Sequence, residues 1–186
     1  SYQEAMELSH FGAKIIYPPT IQPVMHKRIP VWLKNTFAPE EHGTLIENYS
    51  APSEDFIRGI SSINSISLLS LEGSGMVGIP GFSKRLFEAL ANERINVILI
   101  TQSSSEHSIC VAINESDTLK AKRAIDAAFH IEIINGKVEP LIVETNLSIL
   151  ALVGEQMKSH PGISGKMFGS LGRNGINVRA IAQGSS

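Results

Sequence analysis

Four kinds of feature that could hold a small polar ligand occur twice in this sequence, each pair 81 positions apart: Pro80-Gly81 with Pro161-Gly162, Asn96 with Asn177, Gln102 with Gln183, and Met76 with Met157. A Pro-Gly pair at the start of a helix leaves backbone N–H groups free at the positive end of the helix dipole, a setting that suits a carboxylate. Proline fits the first helical turn, and glycine lets a ligand approach the backbone. A tight turn with no ligand is the plainer reading. An amide side chain offers donors and an acceptor, so it can hold an ammonium or a hydroxyl. Burying it without partners is costly. An asparagine turn and an edge-strand glutamine would explain the same residues without a ligand. Taken together, a helix start for a carboxylate and amides for an ammonium and a hydroxyl would bind a free amino acid.

Other candidate chemistry fails on spacing. Gly73-Ser74-Gly75-Met76-Val77-Gly78 has the G-x-G-x-x-G form, but the strand that follows ends Ile100-Thr101-Gln102 without the acid a dinucleotide site wants. The second copy keeps Pro-Gly and the first glycine, as Gly154, but has Gln156 and Ser159 in place of Gly75 and Gly78. Ser105-Glu106-His107 places a hydroxyl beside an imidazole, but neighbours on a turn do not face each other as a catalytic triad requires. The six histidines (His10, His26, His42, His107, His130 and His160) show no metal-ligand spacing. The single cysteine, Cys110, lies in an alternating apolar run and reads as a buried structural thiol.

The elements that must position these residues follow from periodicity and capping. Ser1 and Glu4 form an S-x-x-E capping box for a helix that ends near Gly12. Pro18-Pro19 break the chain before a short helix over 20–28. Strands are expected at 30–36 and 43–46, and a polar linker at 47–57. Then come a strand at 66–71, a helix over 81–93, an apolar and central strand at 95–101, and a turn at 103–105. A strand at 108–113 and a helix capped by Ser116 follow, with Ala121, Ala124, Ile125, Ala128 and Phe129 inward. Asn135-Gly136 reads as a type I′ hairpin turn between strands at 131–134 and 138–143. The order is β-α-β-β-α-β, the split βαβ plan of ferredoxin-like α+β domains.

That plan restarts. Residues 73–105 align without a gap on 154–186, with 14 identities in 33 positions, and the second copy stops after its second strand. Phe87/Phe168, Leu90/Leu171, Val97/Val178 and Ile100/Ile181 read as core.

The 186 residues carry 16 Lys and Arg against 18 Asp and Glu, a net charge of −2, with no basic stripe and few aromatics. That argues against a nucleic-acid surface. No apolar run approaches a membrane span, no signal peptide opens the chain, and cysteine poverty fits a reducing compartment, so a cytoplasmic protein away from membranes is expected. The sequence opens inside a helix signal and stops at Gln183-Gly184-Ser185-Ser186, so it reads as a fragment, with room for a targeting segment upstream.

The repeated unit with Pro-Gly at its helix start resembles ACT domains, small amino-acid-binding modules that regulate metabolic enzymes. Tyr2-Gln3-Glu4-Ala5-Met6-Glu7-Leu8, Phe11-Gly12-Ala13-Lys14-Ile15-Ile16-Tyr17-Pro18 and Thr20-Ile21-Gln22-Pro23 resemble the end of an aspartate kinase domain, with Ile15-Ile16 for Val-Leu and Tyr17 for the usual histidine. Ile29-Pro30-Val31 and Gly43-Thr44-Leu45-Ile46 match that family's closing strands. Ile100-Thr101-Gln102 through Ile109 and Ala180-Ile181-Ala182-Gln183-Gly184 are similar to the bifunctional aspartokinase–homoserine dehydrogenase group. Lysine-sensitive single-function enzymes usually carry Thr-Ser-Glu after that strand.

The resemblance implies a kinase-domain end at 1–47, a linker at 48–58, a first ACT-like domain at 59–138 and a truncated second one at 139–186. It implies L-threonine as effector, with lysine as the alternative, held by Met76, Pro80, Gly81, Asn96, Gln102, Pro161, Gly162, Asn177 and Gln183. Lys14 and Ile15 would lie beside the ATP site of the parent. The fragment is expected to hold no catalytic residue, metal or cofactor, with ATP, Mg and NAD(P) belonging to the parent. An exposed strand edge also implies homo-oligomers through the ACT sheets; a purely assembly-forming pair is the remaining alternative.

Overall fold

The computed structural model describes residues 1–14, 16–49, 56–76, 79–102 and 107–183, with only the backbone of Gln156 and Lys158. The expected turn at 103–105 and most of the linker lie outside the described residues. Two units form. The N-terminal unit comprises Ser1–Ile63 and Ile149–Asn177, and the central unit comprises Asn64–Ser148 and Val178–Gln183.

In the N-terminal unit, helix α1 (Tyr2–His10) starts at a complete capping box: Glu4 N–H donates to Ser1 Oγ, and the Glu4 carboxylate reaches back to the Ser1 nitrogen. Helix α2 (Pro18–His26) begins on the two prolines that were expected to precede it. Their missing N–H groups cost nothing in a first turn. Strands β1 (Val31–Leu33) and β2 (Thr44–Ile46) pair antiparallel, as their apolar runs predict. Tyr2, Ile21 and Ile46 form this unit's small core.

Strand β3 (Gly59–Glu72) is longer than expected; its first five residues belong to the N-terminal unit and the rest to the central one. The central unit continues with α3 (Phe82–Asn92), β4 (Val97–Gln102), β5 (Ser108–Asn114), α4 (Thr118–Ala128), α5 (His130–Ile134) and β6 (Ile142–Val153), which ends in the N-terminal unit. The sheet order is β4-β5-β3-β6, the ferredoxin-like arrangement of a βαββαβ module. Phe82, Leu86 and Leu90 recur every four residues, so one stripe of α3 is buried, and Ala121, Ile125 and Phe129 do the same for α4. They cover Leu69 and Leu71 of β3 and Val111 and Ile113 of β5.

Four expectations fail here, each for a physical reason. β4 lies at the sheet edge rather than its centre, and Ile100 is 51 % exposed. Its β-branched run signals extended backbone, not the number of neighbouring strands. Ser116 does not cap α4. The helix starts at Thr118, whose hydroxyl donates to Glu115 O after a short 3₁₀ turn. The hairpin at 131–143 is absent, because 130–134 continue as α5. Asn135-Gly136 ends that helix: Gly136 adopts φ +64°, and the N–H groups of Gly136 and Lys137 return to Ile133 O and Glu132 O. Asn-Gly satisfies a left-handed helix stop as well as a hairpin turn. Cys110 is half-buried rather than buried, 3.2 Å from Ser70 Oγ.

In the second copy, α6 (Ile163–Arg173) forms as expected, but no strand forms over 174–183. Val178 and Ile181 are exposed, and so is Phe168, against the expected core role of all three.

Candidate functional site

The repeat is a repeat of backbone geometry, hydrogen bond by hydrogen bond. Met76 N–H donates to Gly73 O at 3.2 Å, and Met157 N–H to Gly154 O at 3.2 Å. Arg85 to Gly81 and Lys166 to Gly162 are both 3.0 Å, as are Ile95 to Leu90 and Ile176 to Leu171. Gly81 and Gly162 both occupy the left-handed region, at φ +101° and +90°, as the N-caps of α3 and α6. Neither helix has a side-chain cap, so its first N–H groups are left for another partner. A Cβ added at either glycine would meet nothing within 4 Å, so the space before each helix start is open.

The equivalence also reaches back before the aligned segment. Glu139 N–H donates to Glu72 O, and Arg58 N–H to Val153 O, at 2.7 and 2.8 Å. Ser65 and Asn146 hold φ +56° and +57°. Only Ser67/Ser148, Leu69/Leu150 and Leu71/Leu152 betray this in the sequence, because a strand can conserve pairing while its residues change.

In the central unit a cavity of about 340 Å³ opens at the start of α3, lined by Met76, Ile79, Pro80, Gly81, Phe82, Ser83, Gln102 and Ile109. Four of the expected residues, Met76, Pro80, Gly81 and Gln102, therefore meet. Gln102 reaches the cavity because β4 runs antiparallel to β5, pairing Gln102 with Ile109. Asn96 does not join them: it is exposed, at the opposite end of β4, about 20 Å from Gln102 at the rise of an extended strand. Pro161 and Gly162 are exposed at the start of α6, and Asn177 and Gln183 are exposed on the strandless segment. Lys14 is exposed, and Ile15 lies outside the described residues.

The lining offers free helix N–H groups at one side, the Ser83 hydroxyl and the Gln102 amide, and walls of Met76, Phe82 and Ile109. Among the described residues that line it there is no charged side chain. A helix start beside a hydroxyl and an amide suits a carboxylate. Ser83 was legible, since it recurs as Ser164 at the repeat spacing. Ile79 and Ile109 had no such signal.

Arg85 locks α3 from behind. Its guanidinium donates to Glu132 Oε1 and Oε2 at 2.6 and 3.1 Å and to Ala128 O, and lies 4.6 Å over the Phe129 ring. The hydrogen bond from Arg85 holds the Glu132 carboxyl below its ordinary range, and the same bond raises Arg85. The partners are 47 residues apart, and sequence spacing did not reveal them.

A family model described as ACT domain matches residues 69–129 and 150–186. The chloroplastic bifunctional aspartokinase/homoserine dehydrogenase of Daucus carota is 41% identical over 191 residues, covering 99% of this chain and 21% of that protein. That of Haemophilus influenzae is 40% identical over 100% of this chain and 23% of its own length. The chain thus spans about a fifth of the length of these relatives. Among solved structures, Clostridium acetobutylicum aspartate kinase matches all of this chain and 42% of its own at a TM-score of 0.88 and 26% identity. E. coli aspartokinase III in complex with lysine and aspartate matches all of this chain at 0.72 and 29%, over 40% of its own chain.

Proposed function

Because the chain belongs to the ACT-domain family, we propose that it is the allosteric amino-acid-binding region of an aspartokinase–homoserine dehydrogenase, with L-threonine as effector. The observation that carries this reading is the cavity at the left-handed Gly81, lined among the described residues by Gln102 and Ser83 and by no charged side chain. The effector carboxylate sits on the free N–H groups of that helix start, and Gln102 takes the ammonium or the side-chain hydroxyl. Met76, Phe82 and Ile109 enclose a short side chain. Binding here shifts the population of conformations of the kinase portion, giving feedback on the pathway from L-aspartate.

In this reading the parent phosphorylates L-aspartate with ATP and Mg and forms homoserine with NAD(P), and this chain supplies regulation rather than catalytic groups. Lys14 and Ile15 would border the parent's ATP site. The β4 edge favours homo-oligomers through the sheets. No helix is long and apolar enough, among the described residues, to cross a membrane. A reducing compartment, a cytoplasm or the chloroplast named for plant relatives, fits the single cysteine.

The likeness to an aspartokinase bound to lysine favours a second reading, a lysine-responsive regulator. A lysine side chain wants an acidic partner, and no Asp or Glu is among the described residues that line the cavity. A thermal-shift series separates the readings, since a ligand of the folded state raises Tm with concentration. Threonine is expected to raise it, and Gln102→Ala to raise the half-saturating concentration about tenfold by removing one hydrogen-bond partner. A shift with lysine and none with threonine would overturn the threonine reading. Silence with every amino acid would favour a purely assembly-forming module.

A further inference from the structure

The two strand-to-helix loops share a backbone but lean on different supports. In the first copy the support comes from the same module: Gly75 N–H donates to Lys137 O and Gly73 N–H to His107 O, at 2.9 and 3.0 Å. In the second copy Gly154 packs against Phe56 O, where a Cβ would collide. A side chain from α1 then adds a tie the first loop does not share. Glu155 N–H donates to Glu4 Oε1 at 3.1 Å, Ser1 Oγ donates to Glu155 Oε1 at 2.7 Å, and the Arg58 guanidinium stands 3.9 Å from the same Glu4 oxygen. Glu4 is only 6 % exposed, so its bond to Glu155 is shielded from water.

We propose that Glu4 couples helix α1 to the second strand-to-helix loop, so that ordering of that loop is passed into the kinase-like segment by a tie separate from the Lys137 and His107 supports of the first loop. The proposal rests on the effector reading for its biological meaning but not for its physics. An acidic side chain at the third helical position is ordinarily spent on the helix itself, as the partner of the N-cap nitrogen. Here one carboxylate oxygen serves that purpose and the other serves a loop 151 residues away. A carboxylate accepting an N–H makes about twice as strong a bond as a neutral acceptor, so the two segments order together.

Amide hydrogen exchange on the intact 186-residue chain tests this. Glu4→Gln, which keeps the shape and removes the charge, should speed exchange at Glu155 about fivefold. Gln3→Gly weakens α1 at an exposed position without touching Glu4. It should speed Glu155 exchange in the natural chain and add nothing in the Glu4→Gln background. The amides of Gly73 and Gly75 should be unmoved throughout. An unchanged Glu155 rate, an equal Gln3→Gly effect in both backgrounds, or first-loop amides rising in step would each overturn the coupling. Threonine acting at neither loop would sink the effector reading while the tie itself stands or falls on the ligand-free rates.

Discussion

Gly81 and Gly162 hold nearly the same backbone, and the helices behind them start and stop alike, yet Gln102 lies on a strand that lines a cavity at the first helix start, and its counterpart Gln183 lies on a segment without a strand. In the first copy Gln102 is brought to the helix start by β4, and β4 is held by its ladder to β5. In the second copy the matching residues 174–183 form no strand, and Gln183 is exposed, as Gln102 is. Ile79 borders the first cavity, whereas its counterpart His160 stacks on Phe56 at 3.3 Å between ring centroids. Local geometry is therefore copied wherever the interactions that hold it are local.

The comparison can be broken most directly in the cores. Leu90 is fully buried and its mate Leu171 is half-exposed. Leu90→Ala should cost about 2–5 kcal/mol in urea unfolding, and Leu171→Ala less than about 1 kcal/mol. Equal losses would mean the second copy buries its helix as deeply as the first. Next come the glycines that open the two loops. A Cβ at Gly73 would strike Lys137 O, and one at Gly154 would strike Phe56 O. Each Gly→Ala change should therefore cost about 1–3 kcal/mol, and a loss at one position alone would show that the two close approaches are not equivalent.

The smallest contrast is Arg85 against Lys166. Glu132 has its folded value lowered by Arg85, so that pair stabilises the fold above about pH 4.3, the ordinary glutamate value, and loses the contribution as pH falls through the acid range. Arg85 is partly exposed, which limits the effect to about 1 kcal/mol. Arg85→Met should flatten the stability-versus-pH curve there, and Lys166→Met should leave it within about 0.5 kcal/mol. Thermal unfolding from pH 3 to 7 reads both.

Several elements were legible because short-range signals announce them: the capping box at Ser1 and Glu4 for α1 in the N-terminal unit, and the four-residue stripe of α3 with the Pro-Gly pair before it in the first copy. The Asn135-Gly136 signal misled because two backbone solutions use the same residues, and only the packing of α5 chooses between them. Pro80, Gly81, Met76 and Gln102 were found as a set because the repeat marked them. Asn96 was marked by the same repeat and stands elsewhere, since equal spacing between copies says nothing about which end of a strand faces the cavity.

The sequence by itself determined the repeat, the helix starts at the Pro-Gly pairs and the families the chain resembles, because these depend on residue types a few positions apart. Tertiary structure alone decided that β4 is an edge strand, that Arg85 closes on Glu132, and that Glu4 reaches Glu155. Those outcomes depend on which distant groups arrive to pair a backbone or satisfy a charge, and spacing along the chain carries no record of that.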